Sequence, residues 1–151
     1  MTEQSAVAIG DTNALFRLFT ATSKGHAEHR ACLGRVGHLV VSPMVLAELD
    51  YLLTERISAQ AASAALEFIT RRIDGKRFEV PAVQPHLHTA RAVMDGYRNL
   101  DGGSGIGLTD AMNVALAAHY RTADMFTSDA HFRVVRPLDG HSAFRLLPED
   151  Q

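Results

Sequence analysis

Asp11, Glu48, Asp110 and Asp129 stand out among the 17 acidic residues of this 151-residue chain because solvation alone does not explain a carboxylate at any of the four positions. Asp11 follows the apolar run Ala6–Ile9, and open α/β sheets bind their ligands outside the carboxyl ends of strands. An Asx turn or helix cap ahead of Ala14 is the competing explanation. Glu48 shares a helix face with Val45 and Leu52, with Leu49 alongside, so it reads as an acid turned toward the core. Such a carboxylate is costly unless a cation, a metal or good donors meet it, and an ion pair with an arginine accounts for it equally well. Asp110 opens the run Asp110–Ala118, where the helix dipole favours an anion by ~0.3–1 kcal/mol. Asn113 and Val114 lie one turn on, and the alanine-rich flank brings Asp110 against packed backbone. Asp129 follows Phe126-Thr127-Ser128 much as Asp11 follows its strand, with a cap or turn as the alternative. If the first strand and the Met125-Phe126 strand are neighbours, the four acids converge. Carboxylates so gathered repel one another and take up protons unless hard divalent cations neutralise them. Oxygen ligands suit Mg²⁺ or Mn²⁺, and such a site suits phosphodiester hydrolysis.

The elements that must position these acids alternate between short β-like runs and longer helical ones, as in an α/β domain with a mainly parallel sheet. Strands are predicted at Ala6–Ile9, His38–Val41, Phe78–Val80, Asp124–Thr127 and Phe144–Leu147. A helix starts at Ala14, and Ser23 caps a second that reaches about Arg35. Ser42-Pro43 combines an N-cap with proline at the first helical position and opens a helix to about Arg56. Ser58 caps the alanine-rich stretch to Ile73, a further helix covers Pro85 to Arg98, and Thr109 caps the helix from Asp110 to Tyr120. The glycine-rich segment Leu100–Leu108 is predicted to be irregular, and no linker or repeat divides residues 1–151, so a single domain is expected.

With 46% hydrophobic and 21% charged residues, the chain has ample material for a core, which excludes disorder along its length. Fifteen bases against seventeen acids give a net charge of −2. That balance excludes nucleic-acid binding through a large positive field, so any such contact must be local. One cysteine, Cys32, excludes an intrachain disulfide and a cysteine-rich zinc cluster; it reads as a small, half-buried apolar residue. Met1–Ser5 carries no basic region ahead of an apolar stretch, and no apolar run approaches the ~18 residues of a membrane span. A cytoplasmic protein without membrane contact is expected.

Four segments, Ile9–Leu15, Val45–Leu53, Leu108–Ala117 and Phe126–Phe132, together resemble the PIN-domain nucleases, particularly the VapC-type toxins of bacterial toxin–antitoxin pairs. Each segment alone is a weak signal; the four in order are a strong one. The resemblance implies a three-layer α/β/α domain around a mainly parallel sheet. It implies a Mg²⁺- or Mn²⁺-dependent endoribonuclease acting on tRNA, rRNA or mRNA, with Asp11, Glu48, Asp110 and Asp129 as the acidic quartet. Asp11 and Asp110 match the acids that ligate metal directly, and Asn13, Thr127 and Asn113 match residues that support the cluster. A homodimer is implied, as is a cognate VapB-type antitoxin whose tail occludes the cleft. The glycine-rich stretch before Asp110 is longer than in a minimal member, and Asp101 lies within it.

Gly102–Gly107 is not a phosphate loop, because no strand precedes it and no Gly-Lys-Ser/Thr ends it. The pairs His26/His29 and His86/His88 lack a third ligand and read as surface histidines, whereas His131 stands close enough to Asp129 to reach a substrate phosphate. Arg71, Arg72, Lys76 and Arg77, and separately Arg133 and Arg136, are candidate RNA-backbone contacts or simply a solvated face. Two other functions compete with the nuclease. One is phosphotransfer or phosphatase chemistry with Asp11 as nucleophile, against which Asn13 stands where a second acid is wanted. The other is a non-catalytic RNA- or protein-binding module.

Overall fold

A computed structural model describes residues 5–151; the N-terminal reading of Met1–Gln4 lies outside the described residues. Five parallel strands form one sheet in the order β3-β2-β1-β4-β5, with β1 Ser5–Gly10, β2 Val36–Val41, β3 Phe78–Glu79, β4 Asp124–Phe126 and β5 Arg145–Leu147. The order reverses at β1, which pairs with β2 on one side and with β4 on the other through Ile9↔Met125 and Gly10↔Phe126. This reversal opens a crevice beyond the carboxyl ends of β1 and β4, the expected ligand position in such a sheet.

Helices α1 (Thr12–Phe19), α2 (His26–Leu33), α3 (Pro43–Arg56) and α4 (Ala59–Asp74) cover one face, and α5 (Leu87–Gly96) and α6 (Leu108–His119) cover the other. Short α7 (His131–Val134) follows β4. The result is the expected three-layer α/β/α architecture, with an all-parallel sheet and an apolar core on each face. Seven consecutive residues of α6, Ala111 to Ala117, are buried, so this helix lies inside the molecule and carries Asp110 in with it.

Helix α3 begins and ends as its sequence predicts. Ser42 is fully buried and its hydroxyl accepts from the Met44 amide at 3.1 Å. Ser42→Ala should therefore cost ~1–2 kcal/mol, the upper part of the range for a lost N-cap, measured as a lower urea midpoint. Ser58 caps α4 through the Ala61 amide. Two predicted caps are corrected. Ser23 instead donates to the Thr20 carbonyl at 2.7 Å, closing a turn, and α2 starts after Gly25 in the left-handed region. Helix α6 starts at Leu108 behind Gly107, with no side-chain cap, so Thr109 lies within the first turn. The helix predicted from Pro85 divides into a 3₁₀ turn, Gln84–His86, and α5.

His29 is buried, not on the surface. It shares the i, i+3, i+4 stripe of α2 with Cys32 and Leu33, so its ring serves as a core aromatic against Phe126. Its Nδ1 bonds the Gly25 carbonyl at 2.7 Å, and burial holds the ring below the usual imidazole range. Cys32 is fully buried, beyond the half-burial predicted, and its thiol is pushed up to about 11. Among the described residues no helix is long and apolar enough to cross a membrane.

Candidate active site

Asp11 leaves the carboxyl end of β1, where its amide donates to the Phe126 carbonyl of β4 at 3.0 Å. Its side chain also caps α1, taking the Thr12 amide on Oδ1 at 2.9 Å. The strand-end and capping readings of Asp11 thus both hold. Oδ2 accepts from the Thr127 hydroxyl at 2.7 Å, and Asn113 Nδ2 approaches Oδ1 at 3.4 Å. Only 4% of Asp11 is exposed, and Thr127 and Asn113 are fully buried. The carboxylate is therefore locked by neutral donors on both oxygens.

Thr127 is tied in turn to the neighbouring loop. Its hydroxyl oxygen lies 3.3 Å from Asn13 Oδ1, which also accepts from the Ser128 amide at 3.1 Å. The Asp129 amide donates back to Thr127 Oγ1 at 3.0 Å. Asp129 Oδ1 accepts from the His131 amide at 2.9 Å, so its turn reading is correct as well. Thr127→Val keeps the side-chain volume but removes the donor to Asp11 and the acceptor for Asp129. It is expected to lower metal affinity and turnover by ~10–100-fold, the usual effect of losing a group that orients a ligand, while circular dichroism shows an intact fold.

Asp110 stands in the first turn of α6 and is raised to about 7 by burial and by the charges of Asp11 and Asp129, offset in part by His131. Burial raises Asp11 to about 6 against the hydrogen bonds that lower it, with Asp129 and Glu48 adding repulsion. Mutual repulsion shows that these carboxylates occupy one electrostatic site. Oxygens of Asp110 and Asp129, with a nitrogen of His131, lie within 4.8 Å of one another.

Glu48 does not face the core. Val45, Leu49 and Leu53 form the buried stripe of α3, and Glu48 falls on its exposed flank. There it accepts from the Thr12 hydroxyl at 3.2 Å, which holds it at the rim beside α1. Its place beside Asp11 therefore comes from the Thr12 contact and not from the core-facing orientation that its spacing suggested. Thr12 was not predicted as a participant; its position directly after Asp11 was the available signal. Asp101 was placed only as part of a loop, yet it bonds His131 Nε2 at 2.5 Å.

The predicted basic contacts divide. Arg71 pairs with Glu67, Arg72 stacks over Phe68, and Lys76 and Arg77 precede β3 at the end of the sheet opposite the acids. Arg133 is held by Glu149 and Asp150. None of these five pairs with Asp11, Glu48 or Asp110. Two further features fit a hard divalent cation: oxygen donors dominate, and burial and neighbouring charge oppose ionisation of Asp11 and Asp110.

The PIN-domain family profile matches residues 8–137. Ribonuclease VapC26 of Mycobacterium tuberculosis (strain ATCC 25618 / H37Rv) is 36% identical over 141 residues, which is 91% of this chain and 98% of the relative. Among solved structures, M. tuberculosis VapC20, a sarcin-ricin loop cleaving toxin, superposes with a TM-score of 0.67 at 18% identity, covering 83% of this chain and 91% of its own. VapBC2 of Rickettsia felis, bound to a DNA fragment from its promoter, gives 0.61 at 16% identity, covering 87% and 95% respectively.

Proposed function

The chain belongs to the PIN-domain family, within its VapC ribonuclease branch, and from that premise we propose that the cleft is the active site of a Mg²⁺- or Mn²⁺-dependent endoribonuclease toxin. The observation that carries this reading is the convergence of Asp11 from the end of β1, Asp110 from the start of α6 and Asp129 from the loop after β4, tied together through Thr127 and Asn113, with oxygens of Asp110 and Asp129 and a nitrogen of His131 within 4.8 Å of one another. Asp11, Asp110 and Asp129 would hold the metal, with Glu48 at the rim. An ion held there would supply Lewis acidity toward the phosphodiester and lower the pKa of a bound water.

The chain's own residues supply orientation. Thr127 fixes Asp11, Asn13 fixes Thr127 and the loop ahead of Asp129, and Asn113 closes the buried side. Glu48 is the most accessible of the four acids and the one open to receive a proton from solvent or substrate. The phosphotransfer alternative is disfavoured because Asn13 stands where a second acid is wanted and spends its side-chain oxygen on the Thr127 hydroxyl and the Ser128 amide. With two divalent ions bound, about +4 would be added to the acidic cleft, enough for it to accept an RNA phosphate.

Likeness to VapC20 and VapBC2 supports a toxin neutralised by a VapB-type antitoxin, with a homodimer and a cytoplasmic location as further parts of the same reading. Purified, antitoxin-free protein should cut a susceptible RNA with Mg²⁺ or Mn²⁺, leave 5′-phosphate and 3′-hydroxyl ends, and stop in EDTA. Cleavage that persists in EDTA overturns the reading. RNA binding unaffected by EDTA, with no cleavage under any condition, identifies the non-catalytic module instead.

A further inference from the structure

We propose that His131 is a nitrogen ligand to the cation held by Asp110 and Asp129, and that Asp101 is the carboxylate that orients its ring; this rests on the metal-dependent reading of the cleft. His131 lies at the start of α7, 21 residues beyond Asp110. Three links fix it there. Its backbone amide is capped by Asp129 Oδ1, its Nε2 meets Asp101 Oδ2, and its Nδ1 lies 3.3 Å from Asp129 Oδ1. With the Nε2 hydrogen given to Asp101, Nδ1 presents a lone pair to a carboxylate oxygen. Two lone-pair atoms that close need a positive centre between or beside them, either a proton or a cation. One atom each from Asp110, Asp129 and His131 falls within 4.8 Å of the others, so a single ion can serve all three.

This accounts for the glycine-rich segment. Asp101 and Gly102 adopt left-handed backbone angles, φ 53° and 68°, which turn the chain tightly enough to aim Asp101 across at α7. A carboxylate behind a histidine fixes the tautomer and makes the imidazole a better donor. The segment therefore provides a supporting carboxylate for the site.

Imidazole changes the metal preference. Mg²⁺ favours oxygen alone, whereas Mn²⁺ and the later first-row ions accept nitrogen more readily. Mn²⁺ should therefore bind more tightly than Mg²⁺, by a margin that His131 widens.

Pulsed electron paramagnetic resonance on the Mn²⁺-loaded, antitoxin-free chain tests this without reference to activity. Directly bound ¹⁴N coupling is expected in the wild type and should vanish in His131→Asn, which should also narrow the Mn²⁺-over-Mg²⁺ preference. Asp101→Asn should keep the coupling while weakening Mn²⁺ binding by ~10–100-fold. Mn²⁺ bound without ¹⁴N coupling, or coupling unchanged in His131→Asn, overturns the assignment and leaves an all-oxygen site with a histidine–carboxylate ion pair beside it. Failure to bind Mn²⁺ at all overturns the metal-dependent reading too, so the two failures are distinguishable.

Discussion

Asp11→Asn is expected to abolish RNA cleavage and, in metal-free protein at pH 8, to raise the melting temperature. Loss of activity should exceed the ~10–100-fold that follows removal of a merely supporting group, since Asp11 is central to the proposed ligand set. The gain in stability comes from the same carboxylate. Asp11 is 4% exposed and raised to about 6, so at pH 8 the fold must ionise an acid that it prefers to keep protonated. At ~1.4 kcal/mol per pKa unit, that shift from 3.8 corresponds to about 3 kcal/mol. Asparagine fits the existing contacts. Its oxygen, placed at Oδ1, keeps the Thr12 amide and Asn113, and its amide, placed at Oδ2, faces a Thr127 hydroxyl free to turn its hydrogen to Asn13. Thermal unfolding in EDTA beside an RNA cleavage assay checks both halves. A variant that is inactive and also less stable would show that Asp11 holds the fold together by its charge.

Metal-free wild-type protein should lose stability as pH rises from about 4 to above 7, and a divalent cation should restore it most strongly at the alkaline end. The sign follows from the direction of the shifts. Asp11 and Asp110 both bind protons more tightly folded than unfolded. Their contribution is complete below the unfolded carboxyl value near 3.8 and is lost as pH passes about 6 for Asp11 and about 7 for Asp110. The two acids repel each other, so their effects do not add. Buried His29 works the other way, losing stability as pH falls, because its neutral form is the one that fits the core. Comparing wild type with Asp11→Asn at each pH cancels the His29 contribution. Saturating Mn²⁺ at ~100 times its dissociation constant adds about 2.7 kcal/mol, and the melting shift it causes should be larger at pH 8 than at pH 5. Equal shifts at both pH values would mean that the cation binds elsewhere.

Most of the architecture was legible because it rests on local signals. Ser42-Pro43 and Ser58 start helices where their chemistry says they should, and the alternation of apolar runs specifies a parallel sheet. Ser23 and Thr109 misled because a capping residue advertises a start that neighbouring glycines can supply by backbone angle alone. The strand-end positions of Asp11 and Asp129 and the helix-start position of Asp110 were legible from the apolar runs beside them. The orientation of Glu48 is the reverse of the expected one: helical periodicity located the stripe one residue away from the true one, Val45-Leu49-Leu53. His29 was missed as core because a histidine stripe looks polar on paper, and only packing against Phe126 shows it serving as an aromatic. The contact between Asp101 and His131 spans 30 residues and depends on two left-handed turns, which no local pattern encodes.

The pairing of β1 with β4 joins Gly10 to Phe126 across the centre of the sheet. Asp11 is made early in synthesis, but the strand that seats it, Thr127 that orients it and Asp129, which completes the proposed ligand set, all come from the last fifth of the chain. Pairing over so long a separation carries a loop-closure cost that is met only when the later strand exists. A growing polypeptide therefore cannot seat Asp11 until β4 has emerged, and translation that stops short of Met125 releases a fragment in which the Asp11 carboxylate lacks both its strand partner and the Thr127 hydroxyl.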